Sequence, residues 1–330
     1  MKKTLIALAV LASAAGAAQA QSAVTIYGKL DLGLEKVTGT PTSLEGNHQS
    51  RLGFKGTEDL GGGLSAIFQV ETRFNADTGA VRGYSNVPGG AAVASPLFGG
   101  QSIVGLTGGF GTVKLGRTYN IVDEVSSAAI DPFEGDGVPG LNALTTPRIS
   151  NTVTYVSPSM SGFNASAQVQ LSEVSGQKNG WGLAGAYNNG PIYVGLGYQK
   201  LTALVPDGVQ PNIWGISGSY TFGPAKIALG YDQGDAKIAG VPKAKNWVVA
   251  GTYEIGSGLI KAAYNRTKDG VDGTITGNGL AFEKIQKVSI GYQHNLSKRT
   301  SLYADIARTK YTTPDVDSSN GVGVGITHNF

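Results

Sequence analysis

Asn320-Gly-Val-Gly-Val-Gly-Ile-Thr-His-Asn-Phe330 is the stretch that decides the fold. Side chains of an extended strand alternate sides, so Val322, Val324, Ile326, His328 and Phe330 share one face. Gly323, Gly325, Thr327 and Asn329 form the other, which is small or polar. A soluble sheet would carry its apolar row into a covered core. An apolar row that ends on an aromatic suits a strand crossing a bilayer, where aromatic girdles mark the two interfaces.

The same alternation recurs through the chain. Val24, Ile26, Gly28, Leu30, Leu32 and Leu34 oppose Thr25, Tyr27, Lys29, Asp31 and Glu35. Phe163, Ala165, Ala167, Val169 and Leu171 oppose Asn164, Ser166, Gln168 and Gln170, and Ile192, Val194, Leu196 and Tyr198 oppose Tyr193, Gly195, Gly197 and Gln199. Such runs match the 9–11 residues that a tilted strand needs to cross a membrane. A soluble β-sandwich shares the pattern but would bury Lys29, Asp31, Gln69, Glu71, Arg73, Gln168 and Gln170 in its core. With the apolar faces on lipid and the polar faces on a water-filled lumen, that cost disappears.

Short turn-rich connections lie at 58–63, 108–111, 157–162, 188–191, 222–224, 256–258 and 295–299. Longer polar segments fall near 36–49, 75–98, 118–147, 172–180, 200–212, 232–245, 266–281 and 309–320. Seven turns and eight loops join sixteen strands. The expected fold is therefore all-β, a 16-stranded antiparallel transmembrane β-barrel with short turns on one rim and long loops on the other.

Met1-Lys2-Lys3, a short apolar run and Ala18-Gln19-Ala20 read as a signal peptide over 1–20, leaving a barrel domain over 21–330. The apolar run is too short for a spanning helix. Without Lys2 and Lys3, 24 basic residues face 23 acidic ones, so nucleic acid is a poor candidate partner. Cysteine is absent and the three histidines are scattered, which disfavours a zinc site, and no cofactor motif is found. Gly180-x-Gly182-x-x-Gly185 matches a dinucleotide fingerprint in spacing but lies in a strand pattern and opens no helix. No histidine has a nucleophile motif around it, so an enzyme is not expected.

Ser50-Arg-Leu-Gly-Phe-Lys-Gly-Thr-Glu-Asp-Leu-Gly-Gly-Gly-Leu64, Gly109-Phe-Gly-Thr-Val-Lys-Leu-Gly-Arg117, Asn151-Thr-Val-Thr-Tyr-Val-Ser-Pro158 and Gly291-Tyr-Gln-His-Asn-Leu-Ser-Lys-Arg-Thr300, with the terminal Phe330, carry a family resemblance. Together they resemble the trimeric general porins of β-proteobacteria, over the whole mature chain. The resemblance implies an outer-membrane homotrimer whose water-filled channels pass ions and small hydrophilic solutes by passive diffusion. It also implies short periplasmic turns, long extracellular loops and a third loop folded into the barrel. Here that loop is 118–147, with Asp123, Glu124, Asp131, Glu134 and Asp136 as candidate constriction acids.

By the same resemblance Arg51, Arg117 and Arg148 line the constriction wall, and Phe330 is the signal read by the barrel insertion machinery. Gln101 stands where strongly anion-selective members carry an arginine, so the expected anion preference is weak to moderate. Parity places Arg51 opposite Leu52 and Phe54, and Arg148 in step with Thr152 and Thr154. Arg117 falls in step with Val113 and Leu115, so it needs a bulge or bend after Leu115 to face inward. The competing reading of the loop acids is an exposed patch that binds divalent ions at the lipopolysaccharide surface. The competing reading of the whole chain is a structural or adhesive barrel that does not conduct.

Overall fold

In the computed structural model the chain is described over residues 23–46, 49–82, 96–134, 137–141, 144, 148–202, 210–237, 242–271, 281–312 and 317–330. The leader, His48 and Asp136 lie outside these residues. The strands are β1 (Ala23–Val37), β2 (Ser43–Glu45), β3 (Arg51–Gly61), β4 (Leu64–Arg73), β5 (Ser102–Gly108) and β6 (Gly111–Tyr119). They continue as β7 (Arg148–Val156), β8 (Phe163–Gln170), β9 (Gly180–Asn189), β10 (Ile192–Lys200), β11 (Asn212–Phe222) and β12 (Ala225–Asp235). The last are β13 (Ala244–Ile255), β14 (Gly258–Val271), β15 (Ala281–Asn295), β16 (Thr300–Tyr311) and β17 (Ser319–Asn329).

All paired neighbours are antiparallel, and β17 returns to β1 from Lys29↔Asn329 to Val37↔Gly321, closing the barrel. Sixteen of the strands make the wall. The other, β2, is a three-residue piece of the first loop that pairs with Gly33–Glu35 where β3 has not yet begun. All seven short turns and eight longer loops fall where the sequence pattern puts them. Gly190 and Gly223, at φ +58° and +56°, allow two of the tight turns.

The outward face carries an apolar band all round. Val24, Ile26, Leu183, Leu196, Leu229, Ile290, Ile306 and Val324 are all exposed, which few water-facing surfaces tolerate over so large an area. Trp181, Trp214 and Trp247 sit near the loop-side ends of β9, β11 and β13, and Tyr187, Tyr220 and Tyr253 near their turn-side ends. Each pair is six residues apart, about 20 Å at 3.3 Å per residue. These are the two girdles that bound the apolar band.

At the seam, Gly28 and Phe330 exchange backbone hydrogen bonds of 3.0 and 3.1 Å. A Cβ built on Gly28 would stand 2.3 Å from the Phe330 ring, so the ring needs a glycine beneath it. The terminal aromatic is therefore part of barrel closure.

Candidate functional site: the lumen and its third loop

Between β6 and β7 the chain runs from 120 to 147 and turns into the barrel, with a short 3-10 helix over Ser127–Ile130. Its apolar side packs on the inner wall. Ile130, Phe133 and Leu141 meet Ala228, Val248, Ala250 and Ala263, while Ile121, Val122 and Leu144 meet Ile213 and Ala244. Phe133 is fully buried, a placement that contributes on the order of 2–3 kcal/mol. Glycines at inward positions make room: Cβ atoms on Gly182, Gly230 and Gly291 would reach Ile121, Ser127 and Phe133 at 2.6, 3.0 and 2.9 Å.

Polar groups of the wall then pin the loop. Asp232 of β12 accepts hydrogen bonds from the Ser127 backbone N–H (3.2 Å) and hydroxyl. Asn246 Nδ2 donates to both Asp232 Oδ2 (3.1 Å) and Ser127 Oγ (3.0 Å). Asn265 and Thr267 donate in turn to Asn246 Oδ1 at 2.6 and 2.9 Å. Further along, Gln199 Oε1 accepts from Ile121 N, Ser217 Oγ donates to Val125 O, and Ser289 Oγ donates to Pro139 O. Along β10–β15 the inward polar groups are thus satisfied in part by the loop.

The charges lie where the loop tip meets β1 and β3. Lys29, Arg51 and Arg73 occupy directly opposite positions across β1, β3 and β4. Glu134, at φ +58°, directs Oε2 to Lys29 Nζ (2.6 Å) and Arg51 Nη2 (3.8 Å). Arg73 is fully buried; its Nε donates to Glu71 (2.8 Å) and its Nη1 to Gln49 (2.6 Å). Arg51 and Arg148 both act electrostatically on Arg73, so the three guanidiniums form one cluster. Arg148 is buried against Tyr119, donating to its hydroxyl at 2.9 Å with the guanidinium carbon 4.6 Å from the ring centroid.

Of the residues proposed from sequence, Arg51, Arg148 and Glu134 come together here. Arg73 joins them without having been assigned a site role, although its inward parity was legible. An irregularity lies after Leu115, between Gly116 and Thr118. The extra residue is on β7, where Ser150 and Asn151 (φ +60°) face Arg117 alone, so the regular parity of Arg148 with Thr152 is broken. Arg117 donates to Gly99 O and to Ser150 Oγ, both at 3.0 Å, at the loop-side end of β6.

The other acids have different settings. Asp131 accepts from the backbone N–H groups of Phe133 (2.8 Å) and Leu141 (3.3 Å), which ties the loop to itself. Glu124 is open to lumen water but ringed by the barrel wall, and that enclosure pushes its carboxyl above the ordinary range; Lys114 opposes the shift and Asp123 adds to it. Asp123 is half-buried beside it. Gln101 is half-buried and its carbonyl accepts from Glu71 N (2.8 Å), so the register puts it opposite Glu71.

The comparisons with known proteins agree with this geometry. The family model described as Gram-negative porin matches residues 7–314. The outer membrane porin protein 32 of Delftia acidovorans is 33% identical over 100% of both chains. An outer membrane porin protein of Bordetella pertussis is 36% identical, the match covering 62% of this chain and 60% of that one. An anion-selective porin from Comamonas acidovorans superposes with a TM-score of 0.77 at 27% identity, covering 94% of this chain and 100% of the other. The closed sixteen-stranded barrel, its inward third loop and this match across most of the sequence make the chain a member of the Gram-negative porin family.

Proposed function

We propose that this barrel is a passive diffusion channel of the outer membrane, with a weak to moderate preference for anions. The third loop follows the inner wall along β9–β15 and reaches Lys29 and Arg51 at its tip, which leaves the β3–β7 side of the lumen as the solute path. The carrying observation is the cluster of Arg51, Arg73 and Arg148 on that side, with Glu134 and Glu71 offsetting part of its charge. Guanidinium stays protonated at any ordinary pH, so the field is permanent. The Debye length at physiological salt is about 8 Å, comparable with the reach across a narrowed lumen, so ions passing there feel it. The anion-selective porin of Comamonas acidovorans supports the sign.

Purified protein in a planar bilayer under a KCl gradient tests the reading. Ion conductance with a zero-current potential favouring chloride is expected. A barrel that inserts without conducting would instead be the structural or adhesive alternative.

The homotrimer, supported by the family resemblance, is checked by light scattering of unheated detergent samples, where monomer mass would end it. Residues 1–20 are proposed as a cleaved leader, so mass analysis of the mature protein should start at Gln21. Lipopolysaccharide and the insertion machinery are the proposed membrane partners. The Gly28–Phe330 clasp gives Phe330 a physical part in closure. Phe330→Ala should therefore lower outer-membrane yield while the inserted fraction conducts normally.

A further inference from the structure

On the turn side of the loop's seat, the lumen wall leaves a cavity of about 280 Å³. Glu124 and Ala129 bound it from the loop. Asn188, Tyr193, Ser219, Thr221 and Lys226, at inward positions near the turn-side ends of β9 to β12, bound it from the wall. Tyr193 also packs against the buried cluster of Ile130 and Phe133, which fixes the back of the cavity. Ligand pockets commonly run to roughly 300–1,000 Å³, so this one suits a ligand of few atoms.

Two opposite charges line this space without being matched by the protein. Among the described residues the Lys226 ammonium forms no ion pair or hydrogen bond, although Glu254 stands diagonal to it on β13. The Glu124 carboxylate likewise accepts no hydrogen bond and forms no ion pair among them; Lys114 of β6 and Asp123 act on it only electrostatically. The enclosing wall strips part of its hydration, so Glu124 gains more from an added cationic group than a freely exposed carboxylate would.

We propose that this cavity binds a free α-amino acid entering from the turn-side mouth, its ammonium group on Glu124 and its carboxylate on Lys226. A zwitterion supplies both missing partners and adds no net charge to the lumen, whereas a lone anion or cation leaves one end unmatched. The hydroxyls of Ser219 and Thr221 and the amide of Asn188 offer neutral hydrogen bonds to the same groups, and Tyr193 and Pro191 offer the side chain an apolar surface. The site lies on the seat side, away from the β3–β7 solute path, so an occupant rests on the wall while ions pass. Such a site goes beyond simple diffusion, giving the lumen a saturable preference for one class of solute.

The probe is L-glutamine, added to detergent-solubilised protein and read by saturation-transfer NMR of its side-chain protons. Saturable binding with a Kd on the order of 1 mM is expected of so small and open a site. Free glycine should displace it at comparable concentration, and acetate or methylammonium, with one charge each, only at roughly tenfold higher concentration or more. Lys226→Gln and Glu124→Gln should each weaken binding roughly tenfold or more, while Lys55→Gln, at an inward position of the other wall, should leave it unchanged. The competition uses the wild-type barrel, so it decides whatever the variants' folding. Absence of saturable binding overturns the proposal, as does binding that survives both substitutions. Displacement by acetate or methylammonium as effective as by glycine overturns it too, since that marks a simple ion site. Conductance is recorded on the same wild-type preparation: a barrel that binds glutamine without conducting would refute the channel reading alone.

Discussion

The two walls of the lumen are built on opposite rules. From β9 to β15 many inward positions beneath the third loop are small, with Ala184, Ala228, Ala250, Ala263, Gly182 and Gly230, and the charged Asp232, Lys261 and Lys287 of the same wall are turned onto the loop itself. From β1 to β7 they are large and charged, with Lys29, Glu71, Arg73 and Arg148. The first wall is a seat, and its polar groups are consumed in holding loop backbone. The second carries a field, and its charges are only partly matched by carboxylates. A loop can narrow a wide barrel without plugging it because its anchoring and the electrostatic wall are kept on separate strands.

The largest expected effect comes from removing the field. Arg51→Gln, Arg73→Gln and Arg148→Gln together should reverse the zero-current potential toward cations, because Glu71, Glu134, Asp123 and Glu124 would then dominate. Arg51, the most open of the three, should contribute most when changed alone. If the triple variant keeps the wild-type potential under a KCl gradient, the cluster is not at the narrow passage.

Breaking the seat should act differently. Asp232→Ala removes the acceptor of two Ser127 bonds and leaves Asn246 with one partner fewer. Loss of such bonds to a charged acceptor costs about 1.5–3 kcal/mol each, which loosens the loop while the sheet stays paired. Open-channel current noise should rise severalfold with little change in ion preference, and Asp232→Asn should restore part of the quiet. A change in ion preference without added noise would mean the two walls are not separable.

A smaller effect is pH-dependent. The carboxyl of Glu124 is held above the ordinary range by the enclosing wall, so as pH falls it takes up its proton before ordinary carboxylates do. Below its raised value one lumen negative charge is gone. Anion preference should therefore grow modestly as pH falls from neutrality toward the range of ordinary carboxylates, and Glu124→Gln should flatten that step. A Glu124→Gln channel with the wild-type pH profile would place the titration elsewhere.

Much of this was legible in period-2 patterning, which gave the strands, turns, girdles and lumen parity because lipid and water impose opposite demands on the two faces. The loop seat left a trace too: Gly195 and Gly197 on a polar strand face signal a close neighbour inside the barrel, since a bare sheet gains nothing from them. Arg73 was readable as inward but not as part of the cluster, because its standing opposite Arg51 depends on register. The side chains of β7 before Thr152 were misaligned with the rest by the extra residue at Ser150–Asn151, which no alternation reveals. Nor could spacing distinguish Asp131, bound to its own loop backbone, from Glu134, bound across the lumen.

The smallest effect expected is that of Gln101→Arg. In sequence terms this change supplies a fourth wall arginine and should sharpen anion preference. The structure tempers it, since Gln101 stands opposite Glu71, whose carboxylate already holds Arg73 at 2.8 Å. A new guanidinium there would share Glu71 with Arg73 and project only part of its charge into the lumen. The zero-current potential should thus move toward anions by less than single removal of Arg51 moves it toward cations. Coupling to Glu71 can be isolated, because Glu71→Gln in the same channel should enlarge the effect of the added arginine. If Gln101→Arg instead shifts the potential as strongly as Arg51→Gln does, in the opposite sense, its side chain escapes Glu71 and the wall at β5 is more open to the passage than the register implies.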